Sequence, residues 1–416
     1  MKQKLNFSVL RIRNFRLLMG TRMFVAMALQ AQAVIVGWQV YSLTHDPFKL
    51  GLTGLTEALP ALFGALFAGH FIDIGSPRNI YRGCIFVLLL NILSLLFVAG
   101  GYAGLSNHNL VIFIFVSVFI SGLARSFTMP ANFSMLQRVV TREEVPSAAA
   151  WMSSGMQTSM IAGPAIAGLA YAGYGARGAW ILPVLMITMA FFCVNFLNVK
   201  HEPSKEKREA AWISIKAGWT FILKTPVLLS LMALDMFAVL FGGAVAMLPA
   251  YADQVLHVGS EGLGALRAAP ALGAVTTALI LAVKPMKQIT AMRMFWAVAG
   301  FGVCMIGFGL SHIFWLSMMF LAISGIFDSI SMLIRGTLMQ LLTPDTMRGR
   351  VSAINSMFII SSNEIGSFES GTAAKLLGLV PSVVFGGCMT LVVVLTTALS
   401  SSKLRKTVVD TQVAKS

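Results

Sequence analysis

Eight charged side chains inside otherwise apolar stretches of this sequence are candidates for chemistry. They are Arg22, Glu57, Arg125, Asp235, Asp328, Arg335, Glu364 and Glu369. A charge within a hydrocarbon layer costs at least about 2.5–3.5 kcal/mol on insertion scales, so each must face a partner charge, a polar neighbour or water. Carboxylates and guanidiniums held in this way can form ion pairs that break and re-form, and the carboxylates can carry protons.

An internal repeat relates four of these charges. The segments SGLARSFTMPANFSMLQ (121–137) and SGIFDSISMLIRGTLMQ (324–340) share five residues without a gap, at an offset of 203. This alignment makes Arg125 equivalent to Asp328, and a second match, RMF with DMF, makes Arg22 equivalent to Asp235. The first half therefore carries arginines where the second half carries aspartates. Duplication explains both matches better than chance similarity between apolar segments.

The composition shows which elements must position these charges. Of the 416 residues, 57% are hydrophobic and 11% are charged, a balance that excludes an ordinary soluble domain. Apolar runs long enough to cross a bilayer as helices are predicted at 15–43, 50–72, 80–101, 108–133, 147–171, 178–198, 226–252, 261–283, 290–311, 314–342, 351–374 and 380–402. A stretch at 210–224 is amphipathic and is predicted to be an interfacial helix.

The placement of Lys and Arg predicts the orientation of these spans. If the N-terminus is cytoplasmic, the inside segments hold 24 of the 31 basic residues, and the outside loops hold only Lys49, Arg177 and Lys375. Basic residues favour the cytoplasmic side, so we expect both termini inside. The net charge of +15 is then a topology signal with some attraction to anionic lipid, rather than a sign of nucleic-acid binding.

The remaining reactive residues do not form a pattern typical of an enzyme. The four cysteines lie in apolar runs without a CxxC pair, so neither a zinc site nor a disulfide framework is indicated. The six histidines fall in loops or at the ends of the predicted spans, and HExxH, GxSxG and P-loop motifs are absent from the sequence. We therefore expect no catalytic residues, no metal and no cofactor. The basic start is followed by a long span, which predicts no cleavable signal peptide.

Two motifs resemble those of the major facilitator superfamily. The loop between the second and third runs is similar to the signature G-x-x-x-D-(R/K)-x-G-x-(R/K): Gly69, Asp73 and Arg78 match, whereas Ile74 and Ser76 depart from it. The fifth run resembles the antiporter signature, with Gly163-Pro164 at its core. This resemblance makes all five matching residues candidates for a conformational switch.

The resemblance implies an all-α membrane protein with twelve transmembrane helices, arranged as two pseudo-symmetric bundles of six. The domains expected are an N-terminal bundle at 1–199, a cytoplasmic linker with the amphipathic helix at 200–224, a C-terminal bundle at 225–402, and a cytoplasmic tail at 403–416. Parallel repeats of six spans are typical of this superfamily. Spans 1, 4, 7 and 10 then line a central cavity.

A further motif resembles the enterobactin-exporter-like branch of the superfamily, which also contains macrolide efflux proteins. Its eleventh span opens R-G-R-V-S-A-x-N-S and continues S-N-E-x-G-x-F-E-S-G. Here Arg348–Ala353, Asn355-Ser356 and Ser362–Gly371 reproduce that pattern, although many members have an acid where this chain has Ser367. Ser352, Ser356, Asn363, Ser367 and Ser370 form one polar stripe, which either packs against a helix or lines the transport path.

The resemblance and the charges lead to a functional hypothesis. The chain is expected to be a monomeric secondary transporter in the inner membrane of a bacterium, exporting a bulky, siderophore-like compound by proton antiport. Its partners would be this small molecule, protons and the lipid bilayer, with no nucleic acid. Multidrug or macrolide efflux and import of a small organic solute stay open as alternatives.

Residue roles follow from the same hypothesis. The eight intramembrane charges are candidates for coupling and gating, with Arg22 and Arg125 latching against Asp235 and Asp328 until an aspartate is protonated. Separate structural ion pairs, or side chains that reach the interface, are the alternative left open. Candidates for lining the cavity are Gln30, Gln32, Asn363 and Ser367.

Overall fold

The computed structural model describes residues 7–99, 101–141, 143–199, 211–284, 286, 288–344, 347–401, 405 and 408–410. Twelve helical spans account for most of this chain. Spans 1–4 are Arg13–Thr44, Pro47–Ile74, Pro77–Ala99 and Asn107–Val139; spans 5 and 6 form the helix Val145–Asn195; spans 7–12 are Pro226–Gln254, Gly259–Val283, Ala291–Leu310, Phe314–Leu342, Arg348–Leu377 and Leu379–Ser400. A 3-10 turn, Phe7–Arg11, precedes span 1, and a linker helix, Ala211–Lys224, precedes span 7.

These spans confirm the predicted all-α membrane fold. Within the described residues, nine helices are long and apolar enough to cross a bilayer, and one of the nine comprises spans 5 and 6. Spans 2 and 11 are not among the nine, and span 11 carries Glu364, Glu369 and several hydroxyl side chains along its length. The protein is therefore a multi-pass membrane protein whose least apolar described span is the one with the polar stripe.

Spans 5 and 6 are separated by a single residue. Gly175 has φ 65° and ψ −166°, a left-handed backbone conformation that a residue without Cβ adopts with little strain. The residues on both sides of it are helical. The break falls between the predicted runs 147–171 and 178–198, so the prediction of two spans here is confirmed.

Span 7 differs from the single predicted run at 226–252. A helix at Pro226–Phe241 is followed by a 3-10 turn, Gly243–Met247, and a short helix, Leu248–Gln254. The turn lies against span 11, since a Cβ on Gly243 would be 2.7 Å from the Gly366 carbonyl oxygen. The close backbone approach explains why the helix changes its geometry at this glycine.

By their internal contacts the residues divide into two units. Unit 1 comprises 1–45, 56–206 and 259–268, and unit 2 comprises 46–55, 207–258 and 269–416. The beginning of span 2 is grouped with unit 2 and the beginning of span 8 with unit 1, which is the reverse of the predicted bundles. Gly51 of span 2 packs on Gly371 of span 11, and Gly264 of span 8 packs on Gly168 of span 5, which accounts for the exchange. The bundle boundaries stay a prediction.

Contacts at the ends of the spans group the connecting segments within each unit. In unit 1, Asn14 Nδ2 donates to the Asn198 carbonyl at 2.8 Å, so the start of span 1 lies beside the end of span 6. In unit 2, strand β1 (Gln288–Thr290) pairs antiparallel with strand β2 (Val408–Asp410). These two strands were not predicted from the sequence. Each contact joins segments that the topology prediction places on one side of the bilayer.

Candidate functional site

An ion pair in unit 1 joins spans 2 and 4. Arg125 Nη1 lies 2.6 Å from Glu57 Oε1, and the two side chains are 50% and 25% exposed. Gly122, one turn before Arg125, lets the helices approach, because a Cβ there would meet the Glu57 carbonyl oxygen. Glu57 lies in the first half of span 2 and Arg125 just past the middle of span 4, so the pair stands at membrane depth.

A second arginine belongs to the same neighbourhood. Arg267 of span 8 lies within electrostatic range of Glu57. Its Nε atom is buried and has no hydrogen-bond partner among the described residues. This residue is not among the eight charges predicted from the sequence, although it is an arginine inside the apolar run 261–283 and meets the same criterion.

Unit 2 contains a more deeply buried ion pair. Arg335 Nη1 of span 10 contacts Asp235 Oδ2 of span 7 directly, and the two side chains are only 4% and 10% exposed. Both Asp235 and Arg125 are thus paired inside their own unit, as in the alternative of separate structural pairs. The pairing follows from the rotation of each helix about its axis, which the repeat alignment does not fix.

Asp328 lies two helical turns before Arg335 on the same face of span 10. It lines a small cavity enclosed by Asp235, Ala238, Val239, Val298, Phe301, Phe327 and Ser331. Within the described part of the chain Asp328 has no ion-pair partner, and the Ser331 hydroxyl has no hydrogen-bond partner. A carboxyl group therefore shares a small, mostly apolar cavity with the aspartate of a formed ion pair.

Arg22 and the two glutamines of span 1 occupy different surroundings. Arg22 is half-buried in span 1, whereas Tyr81 of span 3 and Asn132 of span 4 are buried. Gln32 is buried, and its Nε2 donates to Ser121 Oγ at 2.9 Å. Gln30 packs against span 5, where a Cβ on Gly163 would lie 2.9 Å from Gln30 Cβ. Both glutamines, predicted to line the cavity, make interhelical contacts in this structure.

The glycines of span 5 serve close helix packing. Gly163 approaches the Met27 carbonyl of span 1, and Gly168 meets span 8, where its Cβ would lie 2.6 Å from Gly264 Cα. The carbonyl oxygen of Pro164 also contacts Gly264, at 3.0 Å from a Cβ built there. The Gly-Pro segment therefore lies where span 5 touches two neighbours, and its role as a conformational switch stays a prediction.

Some side chains of the polar stripe of span 11 donate hydrogen bonds to carbonyls of their own helix. Asn363 Nδ2 donates to the Ile359 carbonyl at 2.8 Å, and Ser367 Oγ donates to the Asn363 carbonyl at 2.9 Å. Glu364 and Ser367 both approach Gly54 of span 2, so this face packs against a helix there. Glu369 is partly buried beside Ser370.

The loop motif between spans 2 and 3 is described only in part. The surroundings of Gly69 and the side chain of Asp73 lie outside what the structure describes. Arg78 donates through Nη2 to the Asn195 carbonyl at 2.5 Å and through Nε to the Val194 carbonyl at 3.4 Å. This arginine thus binds the last carbonyls of span 6, where a cation complements the helix dipole.

The described residues contain no group of three or more His, Cys, Asp or Glu side chains that could hold a metal ion. What the arrangement offers instead is two sets of charges at membrane depth. Unit 1 has the Arg125–Glu57 ion pair with Arg267 within electrostatic range of Glu57, and unit 2 has the Asp235–Arg335 ion pair with Asp328 beside Asp235 in one cavity. Such sets can bind charged ligands and carry protons.

Comparisons with known proteins extend over most of the chain. Residues 18–367 match the family model described as Major Facilitator Superfamily. The chain is similar to the enterobactin exporter EntS of Shigella boydii serotype 18, with 23% identity over 394 residues that make up 92% of this chain and 91% of the relative. The enterobactin exporter EntS of Escherichia coli O1:K1 gives the same identity and coverage.

Solved structures share the fold at low identity. A POT family transporter in complex with 5-aminolevulinic acid has a TM-score of 0.73 and 12% identity, covering 95% of this chain and 97% of its own. A bacterial homologue of the iron transporter ferroportin, in an inward-facing state, has a TM-score of 0.71 and 14% identity, covering 96% of this chain and 100% of its own. These likenesses are to transporters built from membrane-spanning helices.

Proposed function

The chain belongs to the major facilitator superfamily of membrane transporters, and from this premise we propose that it exports a bulky, siderophore-like compound from the cytoplasm by proton antiport. Alternating access of two helix bundles would move the compound. The full-length similarity to the enterobactin exporters supports both the direction and the substrate class.

The observation that carries the proton-coupled part of the proposal is the position of Asp328. This carboxyl group lines a small, mostly apolar cavity at membrane depth, together with Asp235 of the Asp235–Arg335 ion pair. Ionisable residues in such positions are typical of proton relays in transporters. Asp235 is held by its guanidinium partner, so Asp328 is the better candidate for taking up and releasing the coupled proton.

The eleventh span supports the resemblance to the enterobactin-exporter-like branch, but it does not identify one substrate. Its Asn363 and Ser367 side chains bond to carbonyls of their own helix, and Ser367 and Glu364 pack near Gly54. These contacts are structural in kind. A shared span 11 is therefore compatible with both a siderophore and a macrolide as substrate, and transport assays must separate the two.

Export can be tested in Escherichia coli cells whose own enterobactin exporter has been removed. We expect expression of this chain to restore enterobactin to the culture medium under iron limitation and to lower its level inside the cells. The two pools are measured by chromatography, with an empty vector as the control. Unchanged pools, together with raised resistance to a macrolide such as erythromycin, would contradict the siderophore and favour drug efflux.

We also propose that both termini are cytoplasmic and that the membrane is the bacterial inner membrane. The supporting observation is the bias of Lys and Arg, 24 in the inside segments against three in the outside loops. Fusions of alkaline phosphatase after residue 416 are expected to be inactive, and fusions of green fluorescent protein there to fluoresce. An active phosphatase fusion at that point would reverse the orientation.

A further inference from the structure

The linker helix Ala211–Lys224 presents an exposed face that mixes apolar and basic side chains. Five exposed residues recur at the spacing of one helix face, and together they are called the linker face here: Lys216, Trp219, Thr220, Leu223 and Lys224. At about 100° per residue, Trp219 and Leu223 lie along one edge of this face, and the two lysines lie beside them. The opposite side of the helix contains Gly218 and Ile222, which are buried.

The linker helix lies at the boundary of the membrane. Only Thr225 separates it from Pro226, the first residue of span 7. Trp219 packs on Phe358 of span 11, with ring centroids 5.5 Å apart. Span 11 has 30 residues and is about 45 Å long, so its ends project beyond a hydrocarbon core of about 30 Å. Phe358 lies about 15 Å from the start of this span, so Trp219 reaches the level where headgroups meet acyl chains.

The two lysines of the linker face are not neutralised within the described part of the protein. The helix contains Lys216 and Lys224 and no acidic residue. Among the described residues neither lysine forms an ion pair. Leu223 adds apolar surface to the same face, since 59% of it is exposed. Lysines combined with Trp and Leu are typical of helices that lie in the plane of the membrane interface. The matching partner therefore has an anionic headgroup and an apolar body.

Gly218 fixes the linker helix to the start of span 11. A Cβ at Gly218 would be 2.7 Å from Ile354 Cδ1 and 3.2 Å from Arg350 Cβ, so the two helices are in close contact there. The side of the linker helix that carries Gly218 is thus occupied by span 11, while the lysines of the linker face stay exposed. A ligand bound to these lysines is therefore linked to span 11 through a single helix.

We propose that the linker face binds anionic phospholipids, with Lys216 and Lys224 at the phosphates and with Trp219 and Leu223 at the level of the first acyl carbons. Bound lipid then anchors the start of span 11 to the membrane surface through the contact at Gly218. Each lysine close to an anionic membrane surface adds about fivefold to binding. The inference goes beyond the proposed function, because it involves neither the exported compound nor the direction of transport.

Two lipids that differ in net charge test the linker face on the purified full-length protein in a non-ionic detergent. Phosphatidylglycerol and phosphatidylcholine with brominated acyl chains quench nearby tryptophans, and the signal that is lost in Trp219→Phe reports Trp219 alone. We expect phosphatidylglycerol to quench Trp219 at about tenfold lower concentration or less, as two lysines predict. Combining Lys216→Gln with Lys224→Gln should remove most of this preference. The matched control is Lys284→Gln, at an exposed lysine after span 8, which should retain it.

Thermal unfolding separates lipid binding from a structural role of the lysines. Without lipid the double variant should unfold at the same temperature as the unaltered protein, because neither lysine forms an ion pair among the described residues. Added phosphatidylglycerol should raise the unfolding midpoint of the unaltered protein more than phosphatidylcholine does. This difference should shrink in the double variant and persist in Lys284→Gln.

Three results would overturn the lipid site, whatever the chain exports. Equal quenching of Trp219 by the two lipids would show that the headgroup charge is not recognised. A preference for phosphatidylglycerol that survives the loss of both lysines, or that falls as far in Lys284→Gln, would show that the attraction does not come from the linker face. Displacement of the lipid by soluble glycerol phosphate would assign the lysines to free phosphates instead of a membrane surface.

Discussion

Replacing Asp328 by Asn is expected to abolish uphill export while substrate exchange continues. The amide keeps the shape of the side chain and its place in the cavity beside Asp235 and Ser331, but it does not take up or release a proton. Each proton that moves down a gradient of one pH unit supports about tenfold accumulation of a coupled substrate, so losing one coupled proton lowers accumulation about tenfold. The substrate path itself is left in place.

Proteoliposomes separate these two activities. Accumulation of enterobactin is measured under an imposed pH gradient, and exchange of labelled for unlabelled enterobactin is measured without one. Asp253→Asn is the matched control, because Asp253 is an exposed acid at the end of the same span as Asp235. If Asp328→Asn accumulates enterobactin as the unaltered protein does, Asp328 does not carry the coupled proton. Loss of both activities would point to a structural role for the residue.

Breaking the Asp235–Arg335 pair is expected to have the largest effect on stability. In Arg335→Met, Asp235 loses its contact with the guanidinium. Because the Asp235 side chain is only 10% exposed, its charge is then buried without a partner. Removing one partner of a buried ion pair typically costs about 3–5 kcal/mol. The thermal unfolding midpoint in detergent, followed by intrinsic fluorescence, should fall clearly below that of the unaltered protein.

A double variant tests the physical reason for this loss. Asp235→Leu combined with Arg335→Met removes both charges and retains apolar volume, and such replacements are often neutral or stabilising. We expect its unfolding midpoint to return close to the original value, while Lys216→Met, at an exposed lysine of the linker helix, changes little. An Arg335→Met midpoint equal to that of the unaltered protein would contradict the pairing.

The spans themselves were readable from the sequence because the bilayer imposes one simple requirement. Every run of about 20 apolar residues has to become a helix, so the predicted run 314–342 coincides with the observed span Phe314–Leu342. The break in span 7 was not readable in this way. It depends on the approach of Gly243 to span 11, which is a contact between residues far apart in the chain.

The charges were found from the sequence, but their partners were not. The repeat identifies Arg125 as equivalent to Asp328, and equivalence under a pseudo-two-fold implies nothing about contact. Contact depends on how each helix is rotated and on which small residues let it approach, as Gly122 does for Arg125 and Glu57. Arg267 is a different case. Its charge can be read from the sequence, and only its electrostatic interaction with Glu57 required the structure.

The glycine contacts between spans bear on how easily these helices could move. Gly168 meets Gly264, and Gly51 meets Gly371, through backbone atoms alone. Helices that interlock through large side chains must exchange rotamers before they can change their crossing angle, and each exchange adds a barrier. At the points where these glycines touch, neither residue has a side chain that must change rotamer when the crossing angle changes. We therefore expect these glycines to lower the barrier to a change in the crossing angle of the helices. A side chain added at any of them should raise that barrier.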